Sequence, residues 1–224
     1  PQGGLISPIL ANVYLHYVLD LWFEKCIKKQ LYGEAYLVRF ADDFLIMFQY
    51  ERDAQRVYEA IIKKMELFGL ELSKEKTRIL PFGRYSVSRE TFDFLGFTHF
   101  NSKTRKGYYS VGHKISRKKK KQFKSNLKKW VKKNRNTQFD EFMKTLNKKL
   151  TGSFNYYSLS GMIKEVRNLW HHSLLLAFKW LNRRSQRRSF KLERLYEIWN
   201  DRIIHPYIHV DIWSDDKVIY NKNV

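Results

Sequence analysis

Apolar residues Leu10, Val13, Tyr14, Tyr17, Val18, Leu21 and Trp22 recur at three- and four-residue steps, which predicts an amphipathic helix. Ser7 suits its cap and Pro8 its first turn. Two strand-like runs come next, Tyr36-Leu37-Val38-Arg39-Phe40 and Phe44-Leu45-Ile46-Met47-Phe48, on either side of Ala41-Asp42-Asp43. They predict a β-hairpin with a short acidic turn. Helical spacing returns over 52–68 through Val57, Ile61, Ile62, Met65 and Phe68, with Gly69 as the stop. Residues 77–80 suit a strand, and 92–97 with 107–111 suit a second hairpin. After His113 the pattern turns helical, over 115–133, 139–150, 162–182 and 190–200. The fold class predicted is α+β: a mixed unit over 1–114, an all-helical unit over 115–205, and a tail over 206–224 whose pattern is ambiguous.

Charge sharpens that division. The net charge is +21, and 43% hydrophobic content is enough to build a core beneath it. Residues 1–114 hold 17 Lys and Arg against 13 Asp and Glu, whereas 115–224 hold 26 against 9. A folded, strongly basic half points to a polyanion, because each neutralised phosphate releases a condensed counterion. Solubility or a membrane-surface patch is the plainer reading. Cys26 is the single cysteine, which excludes an internal disulfide and suits a small buried hydrophobe in a reducing compartment. No apolar stretch is long enough to span a bilayer, and no signal-peptide pattern is present. The start at Pro1-Gln2-Gly3-Gly4 has no Met and is expected to be a truncation or a domain cut.

Asp42 and Asp43 are the first candidates for chemistry. Two adjacent carboxylates on a tight turn repel each other, and divalent cations reverse the sign of that cost. Hard oxygen donors suit Mg²⁺, with waters and substrate phosphates filling the other positions. Two such ions about 4 Å apart can activate a 3′-hydroxyl and stabilise a leaving pyrophosphate. Arg39 points to the opposite sheet face from Val38 and Phe40, and either a salt bridge or a substrate contact would suit it.

Phe40-Ala41-Asp42-Asp43 resembles the Tyr/Phe-x-Asp-Asp box of reverse transcriptases. Pro1-Gln2-Gly3-Gly4-Leu5-Ile6-Ser7-Pro8 is similar to the block that precedes it in that family, and the resemblance implies that Gln2 and Gly3 face the nucleotide and the template–primer duplex. Phe40 and Ala41 are implicated in the same surface. Gly69-Leu70-Glu71-Leu72-Ser73-Lys74-Glu75-Lys76-Thr77 resembles the next block in the family; it implies that Lys76 sits near the phosphates and protonates the pyrophosphate, although a lone lysine is ordinarily a solvated one. Phe94-Leu95-Gly96-Phe97 resembles the primer grip, and its aromatics also suit core packing.

In the basic half, 117–135 holds 11 Lys or Arg. Phe123, Leu127, Trp130 and Val131 mark one helical face, leaving Arg117, Lys118, Lys121, Lys124, Lys128 and Lys132 for a nucleic-acid backbone. Arg183, Arg184, Arg187 and Arg188, if helical, form adjoining rows suited to phosphate. Phe154-Asn155-Tyr156-Tyr157 and Trp180-Leu181-Asn182-Arg183-Arg184 resemble the thumb, or maturase X region, of group II intron proteins. That resemblance separates the chain from retroviral and retron polymerases; a diversity-generating or CRISPR-associated reverse transcriptase is a weaker alternative, which the thumb motif argues against and genomic neighbours would decide.

The resemblance implies a partial polymerase palm followed by a helical thumb. It implies an RNA-directed DNA polymerase and intron maturase that uses two Mg²⁺ ions, with Mn²⁺ as a substitute. Implied partners are group II intron RNA, an RNA template with a DNA primer, dNTPs, an upstream fingers and palm segment, and a second copy of the chain. The implied location is the bacterial cytoplasm, at the nucleoid when target DNA is bound. The block with the family's first metal-binding aspartate is expected upstream of Pro1, and neither Asp20 nor Asp93 stands in a comparable context. The 224 residues alone are therefore expected to bind RNA and to polymerise weakly or not at all. No zinc-endonuclease pattern comes after the thumb, as in the endonuclease-lacking subgroup. The alternative is a non-catalytic maturase that only binds and helps fold its intron; the Asp42-Asp43 pair counts against it.

Overall fold

The computed structural model describes residues 4, 6–73, 75–104, 106–184 and 189–208. The chain divides into two compact units, Pro1–Leu95 and Gly96–Val224.

In the first unit, α1 (Ser7–Leu15) continues through π-helical turns at His16–Asp20 and Phe23–Ile27 into a 3₁₀ turn at Lys28–Gln30. Each π turn carries an extra residue and so rotates the next stretch of helix about its axis. Val18, Leu19 and Phe23 therefore face the core, while Leu10, Val13, Tyr14 and Tyr17 from the expected apolar stripe are exposed. Ser7 is not the cap. Its N–H bonds to the Gly4 carbonyl at 3.1 Å, so the chain is already wound at Ile6, which occupies the cap position in helical conformation. Cys26 is exposed, contrary to expectation, because Phe23 takes the inward position of that π turn.

The first hairpin forms as expected. β1 (Ala35–Phe40) pairs antiparallel with β2 (Asp43–Phe48), from Ala35 opposite Phe48 to Phe40 opposite Asp43. Leu37, Phe44 and Ile46 pack on Val18, Leu19, Ile61 and Met65. The last two come from α2 (Glu51–Leu67), beyond which Gly69 has φ +66°, a left-handed value that glycine accepts without strain. Buried Asp53 accepts the Tyr32 and Gly33 amides, both at 3.0 Å, fastening the loop that enters β1. The opposite sheet face carries Tyr36, Val38, Phe40 and Met47, all exposed. Residues 77–80 form no strand. Ile79 is exposed there, and Arg78 spends its guanidinium on the Thr91 carbonyl at the start of β3 (Thr91–Phe94).

In the second unit, β4 (Phe97–Lys103) pairs antiparallel with β5 (Tyr109–Ile115), from Phe97 opposite Ile115 to Lys103 opposite Tyr109. The run 92–97 is thus not one strand, because Leu95 and Gly96 turn with φ +50° and +83°. Helices α3 (Arg117–Asn134), α4 (Phe139–Tyr157), α5 (Ile163–Leu181) and α6 (Leu192–Arg202) complete the unit. Ser116 caps α3 by accepting the Lys119 amide. α4 runs past the expected end at 150 because Leu146, Leu150 and Phe154 keep one buried stripe. The core joins Leu127, Val131, Phe142, Leu146, Trp170 and Trp199, and it also takes Ile115 and Phe97. Those two residues explain why the unit begins before the change to helical pattern. Trp170 Nε1 donates to the Ile204 carbonyl at 3.1 Å, and Asn147 Oδ1 accepts the Ile204 amide at 2.8 Å, securing the chain after α6. Most of the tail expected over 206–224 lies outside the described residues. Among the described residues no helix is long and apolar enough to cross a membrane.

Leu146 is 0% exposed, so Leu146→Ala is expected to destabilise the chain by about 2–5 kcal/mol. Leu175, 54% exposed on α5, is expected to tolerate the same change within about 0.5 kcal/mol. Chemical denaturation of the two variants checks both.

Candidate active site and nucleic-acid interface

Only two residues, Ala41 and Asp42, connect β1 to β2. Ala41 has φ +54°, in the left-handed region that favours glycine, and Asp42 does not share the positive sign. An alanine in left-handed conformation costs about 1–2 kcal/mol, so something must hold it.

Arg39 does so from the inner face of the hairpin. Its Nε and Nη2 donate to Asp20 Oδ1 and Oδ2 at 2.8 and 2.7 Å. Its Nη1 donates to Asn12 Oδ1 at 2.8 Å and to the Ala41 carbonyl at 2.9 Å. The Arg39 side chain is 13% exposed, and the salt bridge is the outcome for this residue. The Arg39 hydrogen bond holds the Asp20 carboxyl below the usual carboxylate range, against the opposing effect of partial burial and with a smaller contribution from His16. The same bond raises the Arg39 guanidinium. Nothing in the sequence pairs Asp20 with Arg39, because the contact spans 19 residues.

Asp42 and Asp43 are exposed at the tip, and neither carboxylate meets a described cation or hydrogen-bond donor. Among the described residues no group of three or more His, Cys, Asp or Glu could hold a metal ion by itself. Carboxylates are hard oxygen donors of the kind that divalent cations take together with water and phosphate oxygens. Phe40, 64% exposed, stands beside the turn. Lys76 is exposed in a separate turn, its amide bonded to the Ser73 carbonyl at 3.0 Å, and it makes no ion pair with Asp42 or Asp43. Gln2 and Gly3 lie outside the described residues.

Phe94, Leu95, Gly96 and Phe97 form a tight turn with left-handed Leu95 and Gly96. The Gly96 carbonyl accepts the Ser116 amide, and a Cβ on Gly96 would lie 3.4 Å from Lys119 Cγ. Phe97 stacks on Tyr156 with centroids 5.6 Å apart and meets Tyr157 edge-on.

On α3, Leu127 and Val131 are buried while Arg117, Lys118, Lys121, Lys124, Lys128 and Lys132 are exposed, as the pattern predicts. Lys120 turns aside to pair with Glu165. Of the arginine ridge expected at 183–188, the described Arg183 and Arg184 lie beyond the end of the helix. α5 ends at Leu181, Arg184 Nε donates to the Leu181 carbonyl at 3.1 Å, and Asn182 exchanges two side-chain hydrogen bonds with the Phe190 backbone. Arg187 and Arg188 lie outside the described residues. Trp180 gathers Lys132, Arg135 and Arg183 at 5.7, 5.7 and 5.5 Å from its ring centroid, so charge from α3 and from the end of α5 meets at one place. Arg135 in that cluster is visible in sequence only as the end of a basic run. Burial, together with the smaller effect of the Lys124 charge, pushes the His172 imidazole down.

Residues 1–99 match the family described as reverse transcriptase (RNA-dependent DNA polymerase), and residues 120–199 match the group II intron, maturase-specific domain. No curated protein matches the chain.

Because the Asp20 carboxyl is depressed in the folded chain, its pairing adds stability above the ordinary aspartate range and loses it as the pH falls through the depressed value. Arg39→Gln is expected to lower stability at neutral pH and to remove that part of the acid dependence. Thermal unfolding measured from neutral to strongly acidic pH checks this.

Proposed function

This chain belongs to the reverse transcriptase and maturase proteins of group II introns, and from that premise we propose that its 40–43 turn is the metal-binding tip of a polymerase palm. At family level the full protein is an RNA-directed DNA polymerase and maturase, its nucleotidyl transfer depends on Mg²⁺, and intron RNA, an RNA template with its primer, and dNTPs are the consistent partners. An N-terminal α+β unit followed by helices is the matching palm-and-thumb arrangement. In this reading the palm spans 1–114, the thumb 115–205 and a tail 206–224.

Asp42 and Asp43 are the ligands this chain offers to a pair of Mg²⁺ ions, Asp42 foremost. Bound there, the ions would favour the 3′-alkoxide and the charge on the departing pyrophosphate. The protein's part is to present both carboxylates without a competing partner, on a turn fixed from beneath; that observation carries the reading. Lys76 is assigned as the acid for pyrophosphate, Gln2, Gly3, Phe40 and Ala41 to the nucleotide and template–primer surface, and the 94–97 turn to the primer. The α3 stripe, with Arg183, Arg184, Arg187 and Arg188, is assigned to RNA phosphates. The exposed apolar face of the hairpin supports a further covering segment, an upstream fingers and palm segment or a second copy of the chain.

In the full-length protein, Asp42→Ala and Asp43→Ala are each expected to reduce Mg²⁺-dependent primer extension on RNA at least about a hundredfold, with intron RNA affinity unchanged. If the unaltered protein binds its RNA tightly yet makes no DNA, the non-catalytic maturase reading replaces this one.

RNA affinity is expected to fall steeply with salt. Replacing Lys124, Lys128 and Lys132 by Ala is expected to reduce the slope of log K against log salt by about one for each phosphate that no longer has a cation beside it. Filter binding across a salt series measures it.

A further inference from the structure

We propose that Arg39 is a positioning residue for the carboxylate turn, holding Ala41 by its carbonyl and thereby setting the direction of Asp42 and Asp43. The inference rests on the reading of Asp42 and Asp43 as metal ligands.

Arg39 lies on the face of β1 that also carries core residue Leu37, and it stands opposite Phe44. A charge in that place must be paired, and the Asp20 fork is enough to pair it. The bond to the Ala41 carbonyl is beyond what neutralisation requires. It reaches two residues along the chain, to the one residue of the turn with a positive φ. Nη1 also bonds Asn12, so one planar group ties two points of the N-terminal helical segment to the turn. The rigid fork is what allows this, since the four bonds use Nε, Nη1 and Nη2 at fixed mutual angles. An ammonium on a flexible stem could pair with Asp20 and would not hold the same set. Asp42 comes directly after Ala41, so an Ala41 peptide free to rotate would carry the Asp42 Cα–Cβ direction with it.

The decisive substitution is Arg39→Lys in the full-length protein, which keeps the charge and removes the fork. Active-site titration by burst kinetics normalises each preparation to its competent fraction. Per competent site, kcat is expected to fall about ten- to a hundredfold, with half-saturation by Mg²⁺ moved upward and primer–template affinity unchanged. Two readouts do not depend on turnover. Backbone hydrogen exchange of the peptide spanning the turn is expected to quicken, and Mn²⁺ binding monitored by electron paramagnetic resonance is expected to weaken. Asp20→Asn keeps the side-chain shape and loosens the fork, so it is expected to shift the same quantities less. It serves where Arg39→Lys folds poorly.

Wild-type kcat, Mg²⁺ dependence and turn exchange in Arg39→Lys overturn the proposal. A loss that tracks only the folded fraction, with normal turnover per competent site, also overturns it and leaves a structural salt bridge. Asp42→Ala run alongside separates the two levels. Synthesis that survives Asp42→Ala removes the metal-site reading itself. Synthesis that collapses in Asp42→Ala but is normal in Arg39→Lys removes only the positioning role.

Discussion

Two adjacent carboxylates can be kept open to solvent and still point in a fixed direction only if the backbone beneath them is restrained from the side away from solvent. The first hairpin meets that condition in two ways. Leu37, Phe44 and Ile46 anchor its strands on the helices below, and Arg39 draws the Ala41 carbonyl toward Asp20 and Asn12. A paired charge beside a core adds little net stability, since desolvation offsets most of the attraction. What it supplies here is geometry, because breaking the pair would leave a guanidinium facing Leu37 and Phe44. The left-handed Ala41 is held within this framework, next to Asp42.

The second unit answers a different demand. Its surface carries far more cations than acids, and mutual repulsion opposes folding. An aromatic and aliphatic core offsets that cost, with Phe142, Phe154 and Trp199 at 0–1% exposure. Trp180 is where the two layers meet, with one edge of its environment in the core and three cations over its ring. The result is a rigid support that presents positive charge, well suited to a nucleic-acid backbone and indifferent to sequence.

Much of this architecture is legible in the residue pattern. The hairpin of 35–48 and the helix of 51–67 arise from local periodicity, and so do the buried Leu127 and Val131 beneath a lysine-rich face. The departures have separate physical causes. Two π turns rotate the helix that continues α1, burying Leu19 and Phe23 and exposing Cys26. β4 contains Thr98, His99, Asn101 and Ser102, so no apolar alternation marks it as a strand. α5 stops at Leu181 because Asn182 bonds to Phe190, a pairing that composition does not reveal.

The order of chemical blocks, the asymmetry of charge and the identity of the acidic turn were determined by the sequence alone, since each depends on residue type and spacing along the chain. The partner of Arg39, the convergence of Lys132, Arg135 and Arg183 on Trp180, and the inclusion of Phe97 and Ile115 in the helical core were decided only by the tertiary structure. Each of these joins residues far apart in the chain. Local propensity does not encode such contacts; they are selected when burial and hydrogen bonding are satisfied together across the folded unit.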